Sequence, residues 1–266
     1  MDSPARIEVR RLTISVEGQV VQRDLDFEVA AGQIFAVIGD GGSGRSLLLR
    51  HMAGMQRPTA GAVLYDGESL WGGSEADRER LRHRFGILFQ GAVLIAEMTL
   101  LENVAVKLRL NTALSDREAD EVAALKLAIM GLRGHERHYP SQVSVGMRIR
   151  AALARAIALD PLIIFYDEPS SGLDPVATAV ISQLINDMKT KMGLTNVVIT
   201  HDIQSAFEIA DHIVLLHRGK IAAQGTVAEI LQNEDPLVRQ FITGSATGPL
   251  EMRSSEGDYF NDLLNI

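Results

Sequence analysis

Apolar and polar residues alternate at the start of the chain. In IEVRRLTISV, Ile7 to Val16, apolar side chains recur at close to every second position, the period of a half-buried strand. A turn at Glu17-Gly18 leads into a second run, VVQRDLDFEV, and the two predict an antiparallel pair. The alternation then stops. QIFAVIG is continuously apolar and runs straight into a glycine-rich loop. SLLLRHMAGM follows with helical spacing, and Pro58 blocks its continuation. AVLYDGESL predicts a strand and turn, SEADRERLRHRF a charged amphipathic helix, and FGILFQ a further strand.

From about Thr99 to Ala158 the spacing is helical and no segment carries a convincing strand pattern. LLENVAVKLRL is followed by DREADEVAALKLAIMG, capped by Ser115 with acid in its first turn, and by VGMRIRAALARAIAL, stopped at Asp160-Pro161. LIIFYDE, PVATAVISQLINDMKTKM, TNVVITH, IQSAFEIA and HIVLLH then alternate, which predicts parallel strands with helical crossovers. The expected fold class is α/β, with an N-terminal antiparallel β-subdomain and a helical subdomain, residues 99–158, inserted into the core.

Composition narrows this picture. The 266 residues, 46% hydrophobic, suffice for one large domain or two small ones. There is no cysteine, which excludes disulfides and thiolate metal sites and fits a reducing cytoplasm. No run reaches the roughly 18 to 20 apolar residues of a spanning helix, and MDSPARIEVRR does not predict a signal peptide. A net charge of −8 argues against a general nucleic-acid binder.

Two motifs carry chemistry. GDGGSGRS lies between an apolar strand and a helix and fits the phosphate-loop spacing, with arginine at the lysine position. Gly39, Asp40, Gly41, Gly42, Ser43, Gly44, Arg45 and Ser46, with Leu47 at the helix start, are the candidate nucleotide contacts. Glycines let backbone N–H groups converge on phosphate oxygens, and the helix N-terminus adds a favourable partial charge. Ser46 is placed to ligate magnesium. The second motif, LIIFYDEPSSGLD, predicts a buried strand that delivers Asp167 as a metal ligand and Glu168 to polarise the attacking water.

These pieces, in this order, resemble the ATP-binding-cassette (ABC) family over roughly Ile7 to Phe241. The resemblance implies a P-loop NTPase fold of ABC type over residues 1–243, with ATP and Mg2+ as ligands. It implies that Gln90 contacts the metal, that Ser144 and Gly146 of VSVGM form the signature that closes on nucleotide, and that Asp174 ends the D-loop. His201 becomes the switch histidine, catalytic alongside Glu168. The tail, with VRQFITG and GDYFNDLL, and the segment LFQGAVLIAEMTLLENV resemble the branch that moves phospholipid between bacterial inner and outer membranes. That branch implies a homodimer on the cytoplasmic face of the inner membrane, beneath an MlaE-like permease. It also implies an MlaD-like MCE protein, an MlaB-like STAS-domain protein, a tail (244–266) reaching the partner subunit, and no nucleic acid. Leu94 is expected in the socket for the permease.

Three positions depart from the family pattern: Arg45 for the phosphate-loop lysine, Val145 for the first signature glycine, and Val16 for an adenine-stacking aromatic. They leave two readings open, a hydrolysing transport motor and a nucleotide-binding regulatory subunit with slow or absent hydrolysis. A third, a cassette acting on DNA or ribosomes, lacks the coiled coil or second cassette it would require.

Overall fold

A computed structural model of the chain describes residues 5–250. The opening alternation forms β1 (Ile7–Val16) and β2 (Gln19–Val29), paired antiparallel with Ile7 opposite Val29. The continuously apolar run is β3 (Ile34–Gly39), buried at every position, followed by helix α1 (Arg45–Met52). β4 (Ala60–Tyr65) returns antiparallel to β1, and β5 (Glu68–Ser69) completes a four-stranded sheet ordered β2-β1-β4-β5.

Helix α2 (Glu75–Arg82) leads to β6 (Phe85–Leu88), and the helical subdomain follows as α3 (Leu100–Asn111), α4 (Asp116–Ile129) and α5 (Val145–Ala156). Ser74, Thr99 and Ser115 open α2, α3 and α4 with reciprocal capping boxes, so the acid three residues on binds back to the cap. Leu100, Val104 and Leu108 of α3 meet Ala119, Ala123 and Leu127 of α4 in one core. Their spacing of four residues aligns them along one helix face.

The chain then alternates through β7 (Ile163–Asp167), α6 (Pro175–Met192), β8 (Thr195–Ile199), α7 (Ile203–Ile209) and β9 (His212–His217). β10 (Lys220–Thr226) turns back antiparallel on β9, and α8 (Val227–Leu231) and α9 (Pro236–Thr243) follow. The second sheet has six strands in the order β10-β9-β3-β8-β7-β6, parallel except at β10. β3, β7 and β8 are buried throughout, which is why they read as unbroken apolar runs rather than as alternation. Because β3, β8 and β7 are adjacent and parallel, the phosphate loop, His201 and the Asp167-Glu168 pair all leave the sheet at its carboxyl edge.

Some element ends differ from the sequence expectation. α1 stops at Met52, well before Pro58, because Gly54 takes a left-handed φ of 69° and its missing side chain makes room for Leu70. α5 likewise ends at Ala156, ahead of Asp160-Pro161. Of the tail, Gly244 terminates α9 and the Gln240 side chain accepts from the Leu250 N–H at 2.6 Å. The rest, 251–266, lies outside the described residues, and with it the expected contact to a partner subunit.

Candidate functional site

The phosphate loop is built from close approaches that only glycine permits. A side chain at Gly39 would collide with the Leu216 carbonyl of β9, so β3 ends with its backbone tight against its neighbour. Ser43 then folds back, its N–H donating to the Asp40 carbonyl at 3.2 Å and its hydroxyl to the same oxygen at 2.9 Å. Gly44 caps α1 with a φ of 83° and supplies no side-chain acceptor, so the first-turn N–H groups of the helix face the loop uncapped. Asp40, Gly42, Ser43, Gly44, Arg45, Ser46 and Leu47 line a concavity of about 220 Å³. Uncapped amides at a helix start around an open hollow constitute an anion site.

Arg45 does not project away from this hollow. Its Nη1 donates to the carbonyls of Gly39 and Asp40, the latter at 3.2 Å, and its Nη2 lies 3.3 Å from Glu168 Oε1. The guanidinium thus joins the loop to the end of β7. Its Nε and Asp40 Oδ1 are buried and have no partner among the described residues. A planar group with several fixed donors can span carbonyl and carboxylate together, which a point-charge ammonium cannot.

At the end of β7, Asp167 Oδ1 accepts from the Ser46 hydroxyl at 2.8 Å. Burial pushes the Asp167 carboxyl up from its ordinary range, Glu168 adds to that, and the Ser46 bond opposes it. Glu168 has a left-handed φ of 51°, which a non-glycine residue holds only when its surroundings enforce it. Its N–H donates to the Ile199 carbonyl at 2.8 Å. Its Oε2 takes the His201 N–H at 3.2 Å and the Thr200 hydroxyl at 3.3 Å, and lies 2.7 Å from His201 Nδ1. The carboxylate therefore sits among fixed donors at the strand edge. Thr200 was not a sequence candidate; only its place beside His201 hinted at it.

The remaining candidates lie elsewhere. Ser144, Val145, Gly146, Gly172, Leu173 and Asp174 line a different concavity, about 370 Å³, that shares no residue with the phosphate loop. Ser144 caps α5, accepting the Met147 N–H at 3.2 Å. Asp174 caps α6, accepting from Val176 and Ala177, both at 2.9 Å. Val145 is half-exposed at the rim. Gln90 is exposed in the turn after β6, without a side-chain hydrogen bond among the described residues. One copy of the chain thus brings together Gly39 to Leu47, Asp167, Glu168 and His201, and leaves the signature and Asp174 apart.

Residues 22–171 match the family model described as ABC transporter. The chain belongs to that family. It is 37% identical over 258 residues to the intermembrane phospholipid transport system ATP-binding protein MlaF of Haemophilus influenzae, covering 97% of this chain and 98% of that protein. It is 38% identical over 252 residues to mkl of Mycobacterium tuberculosis, named a probable ribonucleotide transport ATP-binding protein, covering 95% of this chain and 70% of that one. Among solved structures it resembles the dimeric ATP-binding cassette MJ0796 in a post-hydrolysis state bound to ADP and Pi. That likeness has a TM-score of 0.75 and 28% identity over 83% of this chain and 98% of the other. The cassette is an ATP-binding and ATP-hydrolysing subunit, and its membership favours the motor over the regulatory alternative. Among the described residues, no helix is long and apolar enough to cross a membrane.

Proposed function

We propose that two copies of this cassette close on two ATP molecules and power a membrane permease that moves phospholipid. The observation that carries the dimer is the separation of the two concavities. Asp40 with residues 42–47 lines one concavity, Ser144 to Gly146 with Gly172 to Asp174 lines the other, and within one chain the two share no residue. A second copy related by a two-fold axis supplies each missing half. Phospholipid is favoured over ribonucleotide as cargo because the chain spans 98% of the MlaF length and only 70% of that of mkl.

Ser46 and Asp167 suit a magnesium ion. Two oxygen ligands already meet at 2.8 Å, and burial holds the Asp167 carboxyl above its ordinary range against the opposing pull of Ser46, Arg50 and Arg45. When bound there, the ion would neutralise charge on the β- and γ-phosphates. Everything else falls to the protein. The loop amides and Arg45 hold the phosphates, Glu168 Oε1 turns from the guanidinium to a water in line with the γ-phosphate, and His201 orients Glu168 through Oε2. Gln90 would sense the metal from its exposed turn only after moving inward.

The permease would dock beside Gln90. Leu94 is half-buried against the helical core, and Val93 and Ile95 are the more exposed apolar residues beside it. The segment is tied to α3, where the Asn103 side chain accepts from the Ile95 N–H at 2.7 Å and donates to its carbonyl at 3.0 Å. An MlaE-like permease would meet this face at the cytoplasmic side of an inner membrane, with MlaD-like and MlaB-like proteins completing the assembly. The test is ATP-driven transfer of a labelled phospholipid by the permease-bound complex in vesicles. We expect Val93→Asp to leave ATP affinity intact and to weaken permease stimulation about tenfold, as loss of one interface anchor does. Transfer of labelled ribonucleotide in place of lipid would support the other cargo.

A further inference from the structure

β2 belongs to the outer sheet, yet one of its side chains reaches the phosphate loop. Gln22, between half-buried Val21 and exposed Arg23, points inward and is fully buried. Its Nε2 donates to the Ser43 carbonyl at 2.9 Å and to the Gly44 carbonyl at 3.0 Å. Its Oε1 is also buried and has no partner among the described residues. An amide sealed from water with its acceptor unpaired weakens a fold unless its donors return something. Here they return the direction of two peptide planes.

A trans peptide holds its C=O and the next residue's N–H on opposite sides. The Ser43 carbonyl shares its plane with the Gly44 N–H, and the Gly44 carbonyl shares its plane with the Arg45 N–H. The Gly44 oxygen also accepts the Leu48 N–H of α1 at 2.8 Å, so Gln22 shares that peptide with the helix and holds the Ser43 oxygen itself. Both oxygens drawn this way turn the two amides toward the concavity lined by Asp40 and residues 42–47. Gly44 fits this brace: at its φ of 83°, a side chain would meet Gln22 Nε2 at 2.9 Å. β2 is itself anchored to the core sheet, because the Arg23 N–H donates to the Gly219 carbonyl at 3.0 Å in the β9–β10 turn. Any side chain on Gly219 would collide with the Val21 carbonyl. The brace therefore runs from the β9–β10 turn through β2 to the loop.

We infer that Gln22 is a positioning residue for phosphate binding, aiming the Gly44 and Arg45 amides at the phosphates of a nucleoside diphosphate or triphosphate. This rests on the nucleotide reading of the loop. Gln22 touches no phosphate; it acts through the two peptides it holds.

The test is ADP binding by the full chain in EDTA, measured by calorimetry, beside thermal melting of the nucleotide-free protein. Gln22→Met keeps length and volume, removes both donors and removes the unpaired acceptor. Its ADP affinity should fall about tenfold, the scale of two neutral hydrogen bonds, while its melting temperature falls little, because losing the unpaired Oε1 offsets leaving the Ser43 carbonyl without its donor. Gln22→Glu gives a second arm. An ionised carboxylate would repel the two carbonyls and a protonated one can donate to a single carbonyl, so ADP affinity should recover relative to wild type as pH falls. Gln22→Met affinity within twofold of wild type overturns the inference. So does a loss that tracks a falling melting temperature, or a Gln22→Glu affinity with the pH profile of the wild type. A wild-type chain that binds no ADP would overturn the nucleotide reading instead, and this inference with it.

Discussion

Glu168→Gln is expected to bind ATP and to release phosphate about 10² to 10⁴ times more slowly than the wild type, the range attributed to a positioned general base. The substitution is close to isosteric. An amide oxygen at the Oε2 position still accepts from the His201 N–H and the Thr200 hydroxyl, so the backbone at residue 168 keeps its supports. What disappears is the charge that takes up the proton of the attacking water. The same change removes the ionic partner of Arg45 in the empty site, which frees the guanidinium for phosphate. Retained nucleotide with lost turnover is therefore the signature, read by phosphate release and by ATP-dependent dimerisation in gel filtration. Turnover within tenfold of wild type would remove Glu168 from its role.

Arg45→Ala is expected to weaken ATP binding by about 10²-fold, since hydrogen bonds to charged groups contribute roughly 1.5 to 3 kcal/mol each. It should also lower the melting temperature of the empty protein. Arg45 and Glu168 are both largely buried, with side chains 12% and 8% exposed. Removing one partner leaves a carboxylate without its counter-charge in a place where water does not compensate. Arg45→Lys separates the two effects. The ammonium restores charge near the phosphates and should recover ATP affinity to within about tenfold of the wild type, as one charged group replaces another. It cannot span Gly39, Asp40 and Glu168 together, so the empty protein should remain less stable than wild type. Titration calorimetry and melting curves of the three proteins read both quantities. Wild-type affinity in Arg45→Ala would show that the guanidinium does not serve the phosphates.

The phosphate loop and the Asp167-Glu168 pair were legible in the sequence because their chemistry needs consecutive residues at a strand end. Glycines, a hydroxyl and two acids in fixed spacing are a local signal. The strands were legible for a related reason: burial on one face imposes alternation, as in β1, and burial on both faces gives an unbroken run, as in β3. Contacts made at long range left no such trace. That Gln22 supports Gly44 depends on the docking of β2 against the β9–β10 turn, nearly two hundred residues apart in sequence. The alternation in VVQRDLDFEV points that position inward without saying what it meets.

The features that the pattern left open follow the same logic. Leu94 and its neighbours are all apolar, so the pattern could not say that Val93 and Ile95 are the more exposed and that Leu94 packs in part against the helical core. Asp174 caps α6 within one chain, while the nucleotide contact expected of it lies across the dimer, so the cap does not bear on that expectation. β10, α8 and α9 lie in a stretch whose short elements and mixed polarity give too few periods to register.

The central claim is that this site hydrolyses ATP with arginine at position 45 and valine at position 145. Its most direct test is phosphate release by the wild-type cassette bound to its permease, with saturating ATP, in the presence and absence of Mg2+. Magnesium-dependent turnover well above that of the Glu168→Gln variant is the result this account requires. Turnover equal to that variant, with ATP demonstrably bound, would contradict it.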